Sequence, residues 1–249
     1  MKTEGRNAVL ELIRSGKNID KILMEKGGKG SLSVIFAEAR KKGVRVQFAE
    51  KAALDKESES GRHQGAIAFS TDYEYFEVED IIAAAEEKNA ENAAADNGKS
   101  GGFVILCDGV EDVHNLGSIL RVAECAGANG VVITKAGCAP VNESVIRVSA
   151  GAAEHMKVAR VSNLRTAIEL LKKNGYWIYA LEAGEEDIYA QDFTGNVALV
   201  IGGEDCGVRK ITRSLCDKTV SLPLKGRVNS LNASVALGIA AYEVLRQRR

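Results

Sequence analysis

Four amide and hydroxyl side chains surround one leucine, Leu231, near the carboxyl end of this 249-residue chain. They follow the strand-like run TVSLPL and a turn at Gly226, and they are Asn229, Ser230, Asn232 and Ser234. One or two such residues are expected where a helix begins, because their side chains accept hydrogen bonds from its free backbone N–H groups. Four exceed that need, so the segment is predicted to bind a ligand as well as to start the C-terminal helix.

A purine ring is the ligand that this segment suits. Backbone amides beside Leu222 and Leu231, together with the nearby Ser and Asn side chains, can supply hydrogen-bond donors and acceptors. The two leucine side chains can cover the faces of the ring. The sequence therefore predicts a purine-binding loop before the last helix.

A second polar loop follows an apolar run in the segment LVIGGEDCGVRKI. It contains Gly202, Gly203, Glu204, Asp205 and Gly207. Glycines at the end of a strand let a ligand approach the backbone closely, and a tight turn explains them about as well. Glu204 either lines a site or caps the next helix, where the helix dipole favours a negative charge.

A third polar loop lies in CDGVEDVHNLGSILRVAECAG, after the apolar run FVILCD. Asn115 stands where the N-cap of a helix is expected. That helix has a buried stripe formed by Leu116, Ile119, Leu120 and Ala123. Arg121 falls beside the stripe and is either a surface arginine or part of a site. The loop has no GxGxxG pattern, so it is not predicted to bind a dinucleotide.

The elements around these loops predict an α/β architecture. From residue 102 onward, short β-rich runs alternate with helical patterns, which is typical of a parallel sheet covered by helices on both faces. Several of the runs are continuously apolar, as in strands buried on both sides. Ligands bind beyond the carboxyl ends of such strands, where the three polar loops would lie. Residues 1–77 form a second, small α/β unit, and residues 78–101 read as a helix that frays into a linker.

Composition excludes several classes of protein. Residues are 45% hydrophobic and 27% charged, and no run approaches the ~18 apolar residues of a membrane span. The N-terminal run MKTEGRNAVLELIRSG has no apolar signal core, so a cytoplasmic location is expected. The five cysteines contain no CxxC pair and the three histidines have no HExxH spacing, so neither metal catalysis nor a disulfide framework is expected.

Charge leaves room for a local nucleic-acid contact. The formal net charge of −1 argues against a protein that coats nucleic acid by bulk attraction. The candidates for such a contact fall early in the chain and are Lys26, Lys29, Arg40, Lys41, Lys42, Arg45 and Arg62. They indicate either a solvated surface or a basic face that contacts RNA.

Three ordered segments resemble a known family. NLGSILRVAECAG, LVIGGEDCGV and LPLKGRVNSLNASVALG are similar to the three motifs of the SpoU/TrmH family of RNA 2′-O-ribose methyltransferases, and the similarity extends over residues 102–249. GRHQGAIA at 61–68 resembles the ribosomal-RNA branch of that family, whose N-terminal domain is similar to ribosomal protein L30e. Val113 stands where family members often carry proline.

The resemblance implies a fold and a cofactor. Residues 102–249 would form a parallel-sheet methyltransferase domain with a trefoil knot, which holds S-adenosylmethionine in a bent conformation. The domain would act as a homodimer. Residues 1–77 would be a small L30e-like α/β domain that binds the RNA substrate, and residues 78–101 would connect the two. No membrane and no metal are implied.

The resemblance also assigns roles to residues by position. The catalytic, polar side of the site would comprise Asn115, Arg121, Glu204, Ser230 and Asn232. The methyl donor would be contacted, mainly through backbone groups, by Gly202, Gly203, Leu222, Leu224, Ser230 and Leu231. Arg121 is the family's candidate for the base, although a guanidinium is hardly ever neutral in a protein. Alternatively, it would hold the phosphate beside the target ribose and stabilise the developing alkoxide.

The function implied is methylation of a ribose 2′-hydroxyl, with a guanosine in a loop of 23S ribosomal RNA as the expected target. Two alternatives stay open. The chain could be a transfer-RNA 2′-O-methyltransferase of the same family, which the L30e-like extension argues against. It could also be a non-catalytic RNA-binding or ribosome-assembly factor, which the presence of the whole set of polar site residues argues against.

Overall fold

A computed structural model describes residues 2–15, 19–28, 30–70, 73–94, 101–204 and 206–249. Contacts divide the chain into two compact units. The first is Met1–Glu74, to which Pro140–Asn142 is assigned, and the second is Tyr75–Ala139 with Glu143–Arg249. Lys29 of the basic set and Asp205 of the second polar loop lie outside the described residues.

The first unit is a four-stranded sheet with three helices. In chain order its elements are β1 (Lys2–Glu4), α1 (Arg6–Arg14), β2 (Ile19–Glu25), α2 (Ser31–Lys41), β3 (Val46–Ala49), α3 (Lys51–Glu57) and β4 (Ala66–Ser70). The strand order is β1-β4-β2-β3. β2 and β3 are parallel, and β4 is antiparallel to β1 and β2.

The core of this unit follows from the alternation of side chains along β2. Ile22 and Met24 pack with Val9 of α1 and Ile35 of α2. Leu23, which points to the opposite face, packs with Leu54 of α3 and with Ile67 of β4. The sheet is therefore covered on both faces, as expected for a small α/β unit.

The second unit contains the remaining elements. In chain order these are α4 (Val78–Ala94), β5 (Phe103–Asp108), α5 (Val113–Cys125), β6 (Gly130–Thr134), α6 (Glu143–Val148), α7 (Ala152–His155), β7 (Val158–Val161), α8 (Leu164–Lys173), β8 (Trp177–Asp187), β9 (Val197–Gly202), α9 (Lys210–Arg213), β10 (Lys218–Ser221) and α10 (Ala233–Gln247). A 3₁₀ turn, Ile188–Ala190, follows β8.

The six-stranded sheet of the second unit is parallel throughout, with the order β10-β8-β9-β5-β6-β7. Every residue of β5, β6 and β9 is buried, as their continuous apolar runs predicted. Val104 and Leu106 of β5 pack in one core with α4 and α8. α5 and α10 pack against each other, and α10 also contacts β9. The predicted parallel α/β architecture is confirmed.

The segment 78–101 is predicted to be a helix that frays into a linker, and its first part is a helix that packs into the core of the second unit. Helix α4 occupies Val78–Ala94, and Val78, Ile81 and Ile82 are buried in the core of the second unit with Leu171 of α8. Three apolar residues spaced along one side of a helix are enough to order it, even within an alanine-rich run. Residues 95–100 lie outside the described part of the chain.

None of the described helices combines the length and the apolar composition needed to cross a membrane.

Candidate active site

A cavity of about 360 Å³ lies at the carboxyl end of β9 and beside the middle of β8. Its wall includes Leu181, Glu182 and Ala183 from β8, the loop that follows β9, and the segment that leads into α10. All of the residues that the family resemblance assigns to cofactor binding line it: Gly202, Gly203, Leu222, Leu224, Ser230 and Leu231. Ser230 also belongs to the assigned polar side, and two further residues of that side, Glu204 and Asn232, line the cavity as well.

The glycines after β9 form a tightly closed turn. Gly207 N–H donates to the carbonyl oxygen of Gly203 at 3.0 Å, and Gly207 has a φ of 59°. A Cβ atom on Gly202 would overlap the backbone of Gly207, and one on Gly203 would overlap the carbonyl of Gly109. Packing within the chain thus explains these glycines, which is the turn alternative that the sequence left open.

A hydrogen-bonded chain of side chains joins the three polar loops. Asn115 Nδ2 donates to Glu204 Oε1, and Asn232 Nδ2 donates to Asn115 Oδ1 at 2.9 Å. Asn115 is 9% exposed, so both of its polar atoms find partners inside the protein. These bonds give the three side chains a defined arrangement beside the cavity.

The N-cap of α5 is Asp112, so the prediction that Asn115 caps this helix is wrong. Asp112 Oδ1 accepts from His114 N at 2.7 Å and from Asn115 N at 2.9 Å. Aspartate is among the strongest N-cap residues, and here it stands three positions earlier. Asn115 therefore lies in the first turn of α5, with its side chain available to Glu204 and Asn232. The predicted apolar stripe of α5 is buried and confirmed.

The residues of the polar segment before α10 have two roles, since some cap the helix and others line the cavity. Asn232 is the N-cap, since its Oδ1 accepts from Ser234 N at 3.0 Å and from Val235 N at 3.3 Å. Ser234 Oγ donates to the same oxygen at 2.7 Å. Ser230 and Leu231 line the cavity, whereas Asn229 is exposed. The crowding of polar residues thus serves a helix start and a cavity wall in one loop.

Arg121 lies apart from this cavity within a single chain. It is exposed on α5 and is absent from the cavity wall. It forms no hydrogen bond or ion pair with any residue that the structure describes. Its guanidinium is therefore available to a group from outside the chain.

Sequence reasoning missed an ion pair that holds the loop after β9. The buried carboxylate of Asp108, at the end of β5, accepts from Arg209 N at 2.9 Å and from Arg209 Nε at 2.6 Å. The side-chain hydrogen bond to Asp108 raises the pKa of the Arg209 guanidinium. Gly203 N also donates to the carbonyl oxygen of Asp108 at 3.0 Å. The sequence signal for this ion pair was Asp108 itself, an acidic residue at the carboxyl end of the strand run FVILCD.

In the described part of the chain, no group of three or more His, Cys, Asp or Glu residues is placed to hold a metal ion. All five cysteines are free thiols, of which Cys107 and Cys138 are buried. Burial raises the pKa of the Cys107 thiol well above its ordinary value.

Two family models match the chain. The model described as the SpoU rRNA Methylase family matches residues 102–242. The model described as RNA 2′-O ribose methyltransferase substrate binding matches residues 3–76.

Similar proteins are found among curated sequences and solved structures. The putative TrmH family tRNA/rRNA methyltransferase YacO of Bacillus subtilis is 39% identical over 98% of this chain and 94% of the relative. The 23S rRNA (guanosine-2′-O-)-methyltransferase RlmB of Xanthomonas axonopodis pv. citri is 40% identical over 98% of this chain and 95% of the relative. The SpoU methyltransferase AviRb of Streptomyces viridochromogenes, solved with AdoMet, has a TM-score of 0.58 at 20% identity, covering 100% of this chain and 90% of that one.

The parallel sheet, the cavity at its carboxyl edge and these similarities define an enzyme of one class, an RNA 2′-O-methyltransferase. The chain belongs to the SpoU rRNA methylase family. S-adenosylmethionine is the methyl donor of this class of enzyme. The family resemblance read from the three motifs is thereby confirmed.

Proposed function

We propose that this enzyme methylates the ribose 2′-hydroxyl of a guanosine in 23S ribosomal RNA. Support comes from the 40% identity, over almost the whole chain, to a relative named for that reaction. The enzyme would then act in the cytoplasm, where ribosomes are assembled. The observation that carries the catalytic part is the hydrogen-bonded chain Glu204–Asn115–Asn232 beside the cavity.

The cavity fits S-adenosylmethionine by the chemistry of its wall. Leu224 and Leu231 line it while 38% and 41% exposed, which leaves apolar surface that a planar purine would cover. Leu222 and Ile201 add further apolar wall, and the neighbouring backbone offers donors and acceptors for ring nitrogens. When bound, the cofactor supplies a methyl group on a positively charged sulfur, which a ribose 2′-oxygen can attack.

The residues of this chain would then orient the RNA and stabilise the negative charge that develops on the ribose 2′-oxygen. Arg121 would hold a phosphate beside the target ribose with two hydrogen bonds, because a guanidinium stays charged and matches phosphate geometry. Its exposure leaves it available for that contact. Ser230 and Asn232 would contact the ribose or the donor from the loop before α10, and Glu204 and Asn115 would orient Asn232.

A homodimer is part of the proposal. Val235, Ile239 and Tyr242 form an exposed apolar face on α10, at 51%, 38% and 52% exposure. The opposite face, with Leu237 and Val244, is buried within the chain. One helix with two apolar faces is expected where the outer face is covered by a second copy.

The division of labour between the domains is also proposed. Residues 1–77 would bind the RNA, which the substrate-binding family model over residues 3–76 supports. Residues 102–249 would hold the donor and carry out the transfer. The trefoil knot is proposed for the segments that line the cavity, the loop after β9 and the segment after β10, because the family resemblance implies it there.

Deletion of the gene in its host, followed by mapping of ribose methylation across ribosomal and transfer RNA, tests the function. We expect the loss of one methylated guanosine in 23S ribosomal RNA. Loss at a transfer-RNA position would instead support the transfer-RNA alternative, which the name of the Bacillus subtilis relative leaves open. An unchanged map would support a non-catalytic role.

A further inference from the structure

The charges on the cavity wall all have the same sign. Among the described residues that line the cavity, Glu182 and Glu204 are acidic and none is basic. The carboxylate of Glu204 accepts a hydrogen bond from Asn115 and belongs to the catalytic side proposed above. Glu182, which follows the part of β8 that pairs with β9, lies outside that hydrogen-bonded chain.

The carboxylate of Glu182 is held against the loop that follows β9. Its Oε2 accepts from Val208 N at 2.9 Å. A Cβ atom on Gly207 would lie 2.5 Å from the same oxygen, so only glycine lets the carboxylate come this close. The side chain is half-buried and lines the cavity. Glu182 thus presents a fixed negative charge to whatever the cavity binds.

The two forms of the cofactor differ in charge. S-adenosylmethionine carries a sulfonium, an ammonium and a carboxylate, which sum to +1 near pH 7. The product, S-adenosylhomocysteine, has a neutral thioether in place of the sulfonium and sums to zero. A negative wall therefore attracts the donor more strongly than the product, which has almost the same shape.

We propose that Glu182 is a specificity residue that makes the cavity bind the cationic methyl donor more tightly than the neutral product. The inference rests on the proposed function, because it requires that the cavity bind S-adenosylmethionine. Its consequence is that methyl transfer itself weakens the hold of the enzyme on the cofactor, so that the product leaves and a new donor enters. One charge at the edge of a half-solvated cavity changes the dissociation constant of an oppositely charged ligand by about tenfold.

Calorimetric titration of the full-length protein with S-adenosylmethionine and with S-adenosylhomocysteine tests this. The variant is Glu182→Gln, whose amide oxygen can still accept from Val208 N while the charge is removed. We expect donor affinity to fall about 5- to 10-fold with product affinity unchanged, so that the ratio of the two dissociation constants changes by the same factor. Glu182→Asp keeps the charge and should preserve much of the ratio.

A matched control removes one charge from the same strand. Glu186→Gln alters an exposed β8 residue that pairs with Lys218 and is absent from the cavity wall. It should leave both affinities unchanged.

Two results would overturn the inference. Equal weakening of donor and product by Glu182→Gln would mean that Glu182 acts through the shape of the loop or through the shared ribose. Unchanged affinity for both compounds would mean that the charge of Glu182 does not act on the bound cofactor. If the unaltered protein binds neither compound, the proposed function itself fails, which separates the two failures.

Discussion

At the scale of single residues, Asn115 has the largest structural consequence in the site. It lies on α5, yet its amide contacts Glu204 after β9 and Asn232 before α10. A buried amide that loses such partners costs roughly 1–3 kcal/mol, and the partners lose their orientation as well. The identity of this residue therefore matters more than its size.

We expect Asn115→Asp to lower methyl transfer about 100-fold, in the range seen when one oriented polar group of an active site is removed. The new carboxylate would face Glu204 without a donor between them, and two like charges in contact repel. The measurement is methyl transfer to RNA with labelled S-adenosylmethionine. Asn163→Asp is the matched control, because Asn163 caps α8 and aspartate caps equally well. Full activity of the Asn115 variant would contradict a role for this contact.

Substitutions of Arg121 test the proposed chemistry more directly. We expect Arg121→Ala and Arg121→Lys each to lower methyl transfer by about 100-fold or more, because a lysine point charge cannot reproduce a planar contact with two hydrogen bonds. Cofactor binding and the unfolding temperature should stay unchanged, since Arg121 is exposed and absent from the cavity wall. Arg165→Ala on α8, which is also exposed, serves as the control. Substantial activity in the lysine variant would remove the bidentate role.

At the scale of elements, the loop between α3 and β4 is held by one carboxylate of β1. Glu4 accepts hydrogen bonds from Ser60 and Ser58 side chains and from the backbone N–H of Glu59 at 2.5 Å. These bonds, that of Ser60 foremost, lower the pKa of Glu4 from 4.5 to about 2. The next residues include Gln64, whose φ of 50° is unusual outside glycine.

The lowered pKa of Glu4 predicts how this loop responds to acid. A carboxyl whose pKa is lower in the folded state stabilises that state above its unfolded pKa, and the stabilisation is lost as pH falls through the folded pKa. We expect Glu4→Gln to speed hydrogen exchange in residues 58–61 at pH 7. The difference from the unaltered protein should shrink between pH 4.5 and about 2. Glu11→Gln on α1 is the control, and a difference that is undiminished at about pH 2 would contradict the assignment.

At the scale of the whole molecule, the outer face of α10 predicts the oligomeric state. We expect the double variant Ile239→Glu with Tyr242→Glu to be a folded monomer, because two charges cannot be buried between copies without partners. Sedimentation would measure the mass, and circular dichroism would check the fold. Ile211→Glu alters an equally apolar but 65% exposed residue of α9 and should leave the mass unchanged. A monomeric unaltered protein would refute the dimer.

The basic residues of the first unit predict the salt dependence of RNA binding. Replacing Arg40, Lys41, Lys42 and Arg45, all exposed, by alanine should weaken RNA binding. Each lost phosphate contact reduces the log–log salt slope by ~0.7–0.9, because fewer counterions are released. Affinity for S-adenosylmethionine should not change. A salt slope equal to that of the unaltered protein would mean that these residues are a solvated surface, and Arg62 would be tested next.

The sequence by itself determined the features that depend on near neighbours. Continuous apolar runs predicted the buried parallel strands, and the helical spacing of Leu116, Ile119 and Leu120 predicted the buried side of α5. Similarity of three ordered segments to a known family brought together residues that line one cavity, such as Gly202 and Leu231. Periodicity and motif order are local properties, so they can be read without coordinates.

Only the tertiary structure decided the contacts between distant residues. Asn115 bonds to residues 89 and 117 positions away, and Arg209 bonds to Asp108 across 101 positions. Helix α4 is ordered by a core to which α8 contributes, so its own composition could not reveal its burial. The charge that Glu182 presents to the cavity likewise depends on the middle of β8 lying beside the loop after β9. Such pairings arise from the packing of strands and helices. Local sequence patterns do not predict that packing.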